Sequence, residues 1–218
     1  MKYDAVIFDF DGVLIDSGFD GFEWALKERK KLAEVNGWDI DFETVGQGVF
    51  QPQDVELEKI LEKEGLSWEQ LKLLEKAVAE RKVEMASTGE LEIFNDAEII
   101  LEGLDCQMAI VSNAYNDYLA GIMEGLEIKD YMDFWIAPRI ENIRSYRERM
   151  KPEPEMVEEA LEELGTRNAI MIGDQIEDIM AARKAGIDSI YIDRNGDTEE
   201  KADHSVESLK QALEIIRS

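Results

Sequence analysis

The apolar run Val6-Ile7-Phe8 ends in Asp9-Phe10-Asp11-Gly12, and this short segment constrains the chain more than any other. A continuous run of β-branched and aromatic residues suits a buried parallel strand. In an open parallel α/β sheet, ligands and reactive groups gather just beyond the carboxyl ends of the strands, where Asp9 and Asp11 would then stand. Gly12 lets the backbone turn sharply and leave the sheet. Two carboxylates one residue apart can share a divalent cation, or divide nucleophilic and acid–base duties between them. With 50 aspartates and glutamates in the chain, such a pair is weak evidence by itself. Asp39 and Asp41 form another, which reads as solvated surface.

Three more apolar runs, over 107–111, 168–172 and 189–192, join 3–8 as expected strands, each near a helical pattern. The clearest helix follows Pro152 and Pro154, with Met156, Val157, Ala160, Leu161 and Leu164 at helical spacing and Gly165 as its stop. Others are expected over 175–185, ending at Gly186, and over 115–124, closing on Gly125. This alternation predicts an α/β fold built on a doubly wound parallel sheet. The first two strands are separated by roughly ninety residues without a strand pattern, far more than a βαβ crossover needs. That stretch carries helical patterns over 22–35, 55–61 and 68–83, and reads as an inserted helical unit. The division expected is a Rossmann-like core over 1–15 and 92–218 with a helical cap over 16–91. Trp24, Trp38 and Trp68 are expected to pack in a core rather than stack on a ligand.

The 218 residues allow one ordinary core with a smaller insertion. A net charge of −26 argues against nucleic acid or an anionic membrane as a partner, and requires local positive charge to receive any anionic substrate. So acidic a surface suits a salt-rich host, although 14 lysines against 10 arginines fit an ordinary acidic enzyme equally well. The single cysteine, Cys106, reads as a buried inert thiol in a reducing compartment. No targeting pattern precedes the first strand and no run approaches the length of a membrane span, so a cytoplasmic protein is expected.

Three later signals fall where expected strands end. Ser112-Asn113 follows the second strand and offers a hydroxyl and a backbone turn for phosphate oxygens, or merely a helix cap. Lys151 stands just ahead of the proline-stiffened helix. Gly173-Asp174 follows the third strand, and Asp178, four residues on, can face the same way as a helix begins. A purely structural part for either carboxylate, through the helix dipole, stays open. The segment 139–151 holds five cations and two anions in an otherwise acidic chain. Its Arg144 and Arg147 could hold the part of an anionic substrate that is not transferred, or simply pair with neighbouring acids. His204, the one histidine, lies far from every motif and is expected to take no catalytic part.

With DFDGVLIDS, VSN, KPEPE and GDQIED in this order, the chain resembles the haloacid dehalogenase-like hydrolase superfamily over nearly its whole length, and most of all its phosphoglycolate phosphatase and β-phosphoglucomutase branch. The resemblance implies that Asp9 takes up a phosphoryl group as an aspartyl-phosphate, while Asp11 protonates the leaving alcohol and later activates water. It implies a Mg²⁺ ion held by Asp9, the Asp11 carbonyl and Asp174, with Asp178 assisting, and a phosphoryl clamp of Ser112, Asn113 and Lys151. Because Asp11 is present, a haloalkanoic acid dehalogenase is not expected. Val13 stands where many of these phosphatases have threonine, and Gln175 where a small polar residue is usual. The expected activity is Mg²⁺-dependent hydrolysis of a small phosphorylated metabolite. The alternatives are a β-phosphoglucomutase-like mutase and a non-catalytic binding or regulatory member.

Overall fold

A computed structural model describes residues 1–18, 22–42, 57–142, 147–194, 196 and 202–218. Six strands form one sheet in the order β3-β2-β1-β4-β5-β6, and every pairing is parallel. They are β1 (Ala5–Phe8), β2 (Gln107–Val111), β3 (Phe134–Ile136), β4 (Ala169–Gly173), β5 (Asp188–Ile192) and β6 (His204–Val206). From β1 the chain builds outward through β2 and β3 on one side, then returns to build β4, β5 and β6 on the other. The order therefore reverses between β1 and β4, and in open α/β sheets ligands bind beyond the carboxyl ends of the strands at such a point.

The alternation of side chains along β1 explains why no residue of it is solvated. Val6 and Phe8 enter one apolar cluster with Ile110, Ile172 and the helices α4 (Ala97–Gly103), α5 (Asn116–Gly125) and α8 (Leu209–Arg217). Ala5 and Ile7 enter another, on the opposite face, with Val111, Met171 and the helices α6 (Glu155–Leu164) and α7 (Ile176–Ala185). Burying each large aliphatic side chain contributes about 1.5–3 kcal/mol, which fixes the register of the central strands and so the places where they end.

Between β1 and β2 lie α1 (Glu23–Asn36), α2 (Leu57–Lys63) and α3 (Trp68–Thr88), ahead of α4. α3 packs against α1 on one side and against α5 on the other. Leu61, Leu66, Leu71 and Leu74 form a small separate core, with Trp38 and Trp68 packed on it, while Trp24 packs on the main core. The chain leaves and re-enters the sheet layer along two linkers that touch, because Ile15 and Ile93 form an antiparallel bridge and the Phe94 N–H donates to the Leu14 carbonyl at 3.0 Å.

The differences from the sequence expectations are instructive. β3 and β6 were not expected: at three residues each they are too short to display a period, and pairing with β2 and β5 creates them. His204 accordingly opens β6. α3 runs on to Thr88, where Gly89 at φ 75° caps it, and α5 includes Gly125 instead of closing before it. Gly165 and Gly186 end α6 and α7 as expected, both in the left-handed region. Asp39 and Asp41 are exposed. Cys106 is half-buried rather than buried, with burial the main cause of a thiol pKa above its ordinary value. Among the described residues, no helix is long and apolar enough to cross a membrane.

Candidate active site

Asp9 follows β1 directly, and its N–H continues the ladder by donating to the Ile172 carbonyl of β4 at 2.9 Å. The carboxylate is thereby delivered to the point where the strand order reverses. It is only 8% exposed. Burial foremost, and then the Asp178 carboxylate, push its pKa up to about 7 against the opposing pull of Lys151.

Lys151 enters from a separate loop and is the most deeply enclosed cation described, at 1% exposed. Its Nζ lies 2.8 Å from Asp9 Oδ1 and 2.6 Å from Asp178 Oδ1, and donates to the Val111 carbonyl at 2.8 Å. Burial alone would lower the pKa of this amine, but the two carboxylates outweigh it and hold the group above its ordinary value. Asn113 fixes the backbone that carries it. Its Nδ2 donates to the Lys151 carbonyl and its Oδ1 accepts from the Lys151 N–H, both at 3.0 Å. The Asn113 side chain is therefore engaged with protein backbone. Ser112 is buried at the tip of β2, where its hydroxyl oxygen accepts from the Ala114 N–H at 3.0 Å and its proton is left to donate. Neither residue caps α5, whose N-cap is Tyr115.

The two carboxylates after β4 have different surroundings. Asp178 uses both oxygens within the protein: Oδ2 accepts from the Gln175 N–H at 3.0 Å in a capping box, and Oδ1 faces Lys151. Its pKa is raised, mainly by burial. Asp174 has Oδ2 held by Gln175 Nε2 at 3.0 Å, while its Oδ1 is buried with no hydrogen-bond partner. Burial and then the charge of Asp9 raise its pKa to about 6. Gln175, unusual at this position, thus orients one carboxylate with its side chain and is capped by the other. Two glycines permit the crowding. Gly12 sits at φ +80° and a Cβ there would overlap the Asp174 carboxylate, while one on Gly173 would overlap Asp178.

Asp9, Asp174 and Asp178 each offer an oxygen, and these atoms lie within 4.8 Å of one another. A buried carboxylate oxygen without a partner costs free energy unless a cation or a proton satisfies it. The donors are all hard oxygens, so the arrangement fits a hard divalent cation. Asp174 is the freest of the three to ligate it.

Asp11 stands at the rim with its side chain 30% exposed, and its Oδ1 pairs closely with Lys82 Nζ. Lys82 projects from α3 and is 8% exposed, with its ammonium 5.7 Å from the centre of the Phe10 ring. Sequence reasoning missed it. The signal that could have found it is its place on the buried stripe of α3 with Leu71, Leu74, Ala79 and Met85, where a lysine needs a partner. Glu75, the other charge on that stripe, is answered by Arg29 of α1 through two bonds of 2.8 and 3.0 Å.

Arg144 lies outside the described residues, as does the side chain of Arg147, whose backbone opens a single turn over Arg147–Arg149. Arg149 pairs with Glu159 at 2.7 Å. His204 stands in β6 at the far edge of the sheet from β1.

A parallel sheet with carboxylates and a buried lysine gathered at its order reversal defines an α/β protein with a candidate catalytic centre. The model of the haloacid dehalogenase-like hydrolases matches residues 3–186, and the chain belongs to that family. It is 26% identical over its whole length to a protein of Caldanaerobacter subterraneus provisionally named pyrophosphatase PpaX, covering 96% of that protein. Over 86% of the chain it is 25% identical to the phosphoglycolate phosphatase of Colwellia psychrerythraea, covering 83% of it. Among solved structures, CbbY of Rhodobacter sphaeroides in complex with xylulose 1,5-bisphosphate shares the fold, with a TM-score of 0.72, 17% identity and 94% of each chain covered.

Proposed function

We propose that the protein is a Mg²⁺-dependent phosphatase that hydrolyses a small phosphomonoester through an aspartyl-phosphate on Asp9. The observation that carries this reading is the buried Asp9 carboxylate paired with Lys151 beside an Asp174 oxygen that has no partner. The names of the two relatives, a pyrophosphatase and a phosphoglycolate phosphatase, support release of phosphate as the class of reaction. The Asp9 oxygen attacks phosphorus, the bond to the leaving alcohol breaks, and Asp11 supplies the proton that the alcohol takes. Asp11 then takes a proton from the water that splits the acyl-phosphate. Ser112 and Lys151 face the phosphoryl oxygens, and Asn113 acts at one remove by holding the Lys151 backbone. Asp9, Asp174 and the Asp11 carbonyl would hold Mg²⁺, which would offset the negative charge that otherwise repels an incoming phosphate. The helices within 16–91 would act as a cap over the core of 1–15 and 92–218, with Lys82 of α3 reaching down to Asp11.

The reading is tested by assaying free phosphate from a panel of phosphomonoesters, including phosphoglycolate and glucose 1-phosphate, with and without Mg²⁺. Efficient conversion of glucose 1-phosphate to glucose 6-phosphate with little free phosphate would replace it by a mutase. Lys82→Met is expected to lower kcat about tenfold or more, because Asp11 loses the group that orients it. An unchanged kcat would remove Lys82 from the site.

The buried carboxylates also set a pH dependence. Asp9 and Asp174 have folded pKa values of about 7 and about 6, both above the ordinary 3.8. Their contribution to stability is therefore fully present below about pH 4 and is lost as pH rises through 6 and 7. A divalent cation binds the deprotonated forms and restores what is lost. The rise in Tm produced by Mg²⁺ over chelator should thus be much larger at pH 8 than at pH 5.5, and an equal rise at both would contradict the assigned ligands.

A further inference from the structure

Arg194 lies just past the end of β5, two strands away from β1, yet its guanidinium closes on the turn that follows the nucleophile. Nε donates to the Gly12 carbonyl at 3.3 Å and Nη2 to the Val13 carbonyl at 2.9 Å. The same Nη2 donates to Asp96 Oδ1 at 3.1 Å and Nη1 to Asp96 Oδ2 at 3.2 Å. The guanidinium carbon also stacks 3.7 Å from the centre of the Phe94 ring. Asp96 is fixed in turn, because its Oδ2 accepts from the Leu209 N–H of α8 at 2.8 Å. Four of the five guanidinium N–H donors are used on two segments that are distant in sequence, and the cation is neutralised by a carboxylate. This group is therefore built to hold protein in place rather than to receive an anion.

What it holds is informative. Gly12 and Val13 belong to the linker leaving the sheet, and Phe94 and Asp96 to the linker returning to it. Gly12 also packs directly on the Asp174 carboxylate and adjoins Asp11. We infer that Arg194 is a positioning residue for phosphoryl transfer: it fixes the Asp11–Gly12–Val13 turn against the returning linker, so that Asp11 and Asp174 keep their relative placement. A planar fork suits this task, since one rigid group reaches two carbonyls and both oxygens of a carboxylate, which an ammonium does not. The effect on catalysis rests on the phosphatase reading, whereas the bracing of the linkers does not.

The test pairs enzyme kinetics with amide hydrogen exchange on Arg194→Gln and Arg194→Lys in the full chain. In Arg194→Gln, peptides covering 10–17 and 91–97 should exchange at least about tenfold faster, while those of α6 keep wild-type protection, which shows that the protein is folded. The kcat for the best phosphomonoester should fall about 10- to 100-fold with KM within about threefold, since displacement of a catalytic group by an ångström can cost 10²-fold. Arg194→Lys should recover only part of both properties. Unchanged exchange in the two linker peptides overturns the inference, and so does faster exchange with an unchanged kcat. Should the wild-type protein release no phosphate from any ester, the phosphatase reading falls with the catalytic effect, and exchange alone decides whether Arg194 braces the linkers.

Discussion

Asp9→Ala is expected to lower kcat by on the order of 10⁴-fold or more while leaving Tm within a few degrees of wild type. On the proposed mechanism the loss is large because one side chain forms the covalent bond to phosphorus and no neighbour can take its place. Asp178 is engaged by Lys151 and the Gln175 N–H, and Asp11 is drawn to Lys82. Stability is spared because Lys151 keeps its pairing with Asp178 at 2.6 Å and its bond to the Val111 carbonyl. The carboxylate removed is one that burial already disfavours, as its pKa of about 7 records. The measurement is steady-state turnover together with mapping of phosphate trapped on the protein. Label on any residue other than Asp9, or near-normal turnover by Asp9→Ala, would refute the assignment.

Lys151→Ala should have the opposite balance, with both activity and fold affected. Removing the cation leaves Asp9 and Asp178 buried with no positive partner, and breaking such a cluster from one side costs about 3–5 kcal/mol. For a chain of this size each kcal/mol moves Tm by roughly 2–4 °C, so a fall of about 6–20 °C is expected in the presence of chelator. Lys151 works against the rise in both carboxylate pKa values, so without it those groups keep their protons to a higher pH. The destabilisation should accordingly be smaller at pH 5, where Asp9 is protonated in any case, and greatest near pH 8. A Tm within 2 °C of wild type at pH 8, by a thermal scan resolving roughly that much, would show that Lys151 does not neutralise this cluster.

The contrast between the two substitutions reflects how the site is made. Asp9, Ser112 and Asp174 each stand at the carboxyl end of a strand whose apolar run is visible in the sequence, so locating the strands locates the residues. The boundaries agree closely: the expected 107–111 is β2, and 168–172 is displaced by one residue from β4. The helix stops at Gly165 and Gly186 were legible for the same local reason, since a left-handed cap favours glycine. The short strands β3 and β6 were not legible, because three residues carry no period and only a neighbouring strand makes them regular.

The positions of the central strands, the helical pattern between the first two and the residue types at the strand ends were thus determined by the sequence itself, through burial and backbone preference acting within a few residues, whereas the order of the strands in the sheet was not. The partners of those residues were decided only by tertiary structure. Lys82 meets Asp11 across 71 positions, Asn113 holds the Lys151 backbone across 38, and Arg194 reaches Gly12 across 182. Nothing in local periodicity distinguishes Asn113 and Arg194 from solvated polar residues, and the helical period that places Lys82 on a buried stripe does not name its partner. A lysine, an asparagine or an arginine takes its role from whichever backbone or carboxylate the packed helices and strands bring within about 3 Å, and that proximity exists only once the chain has folded.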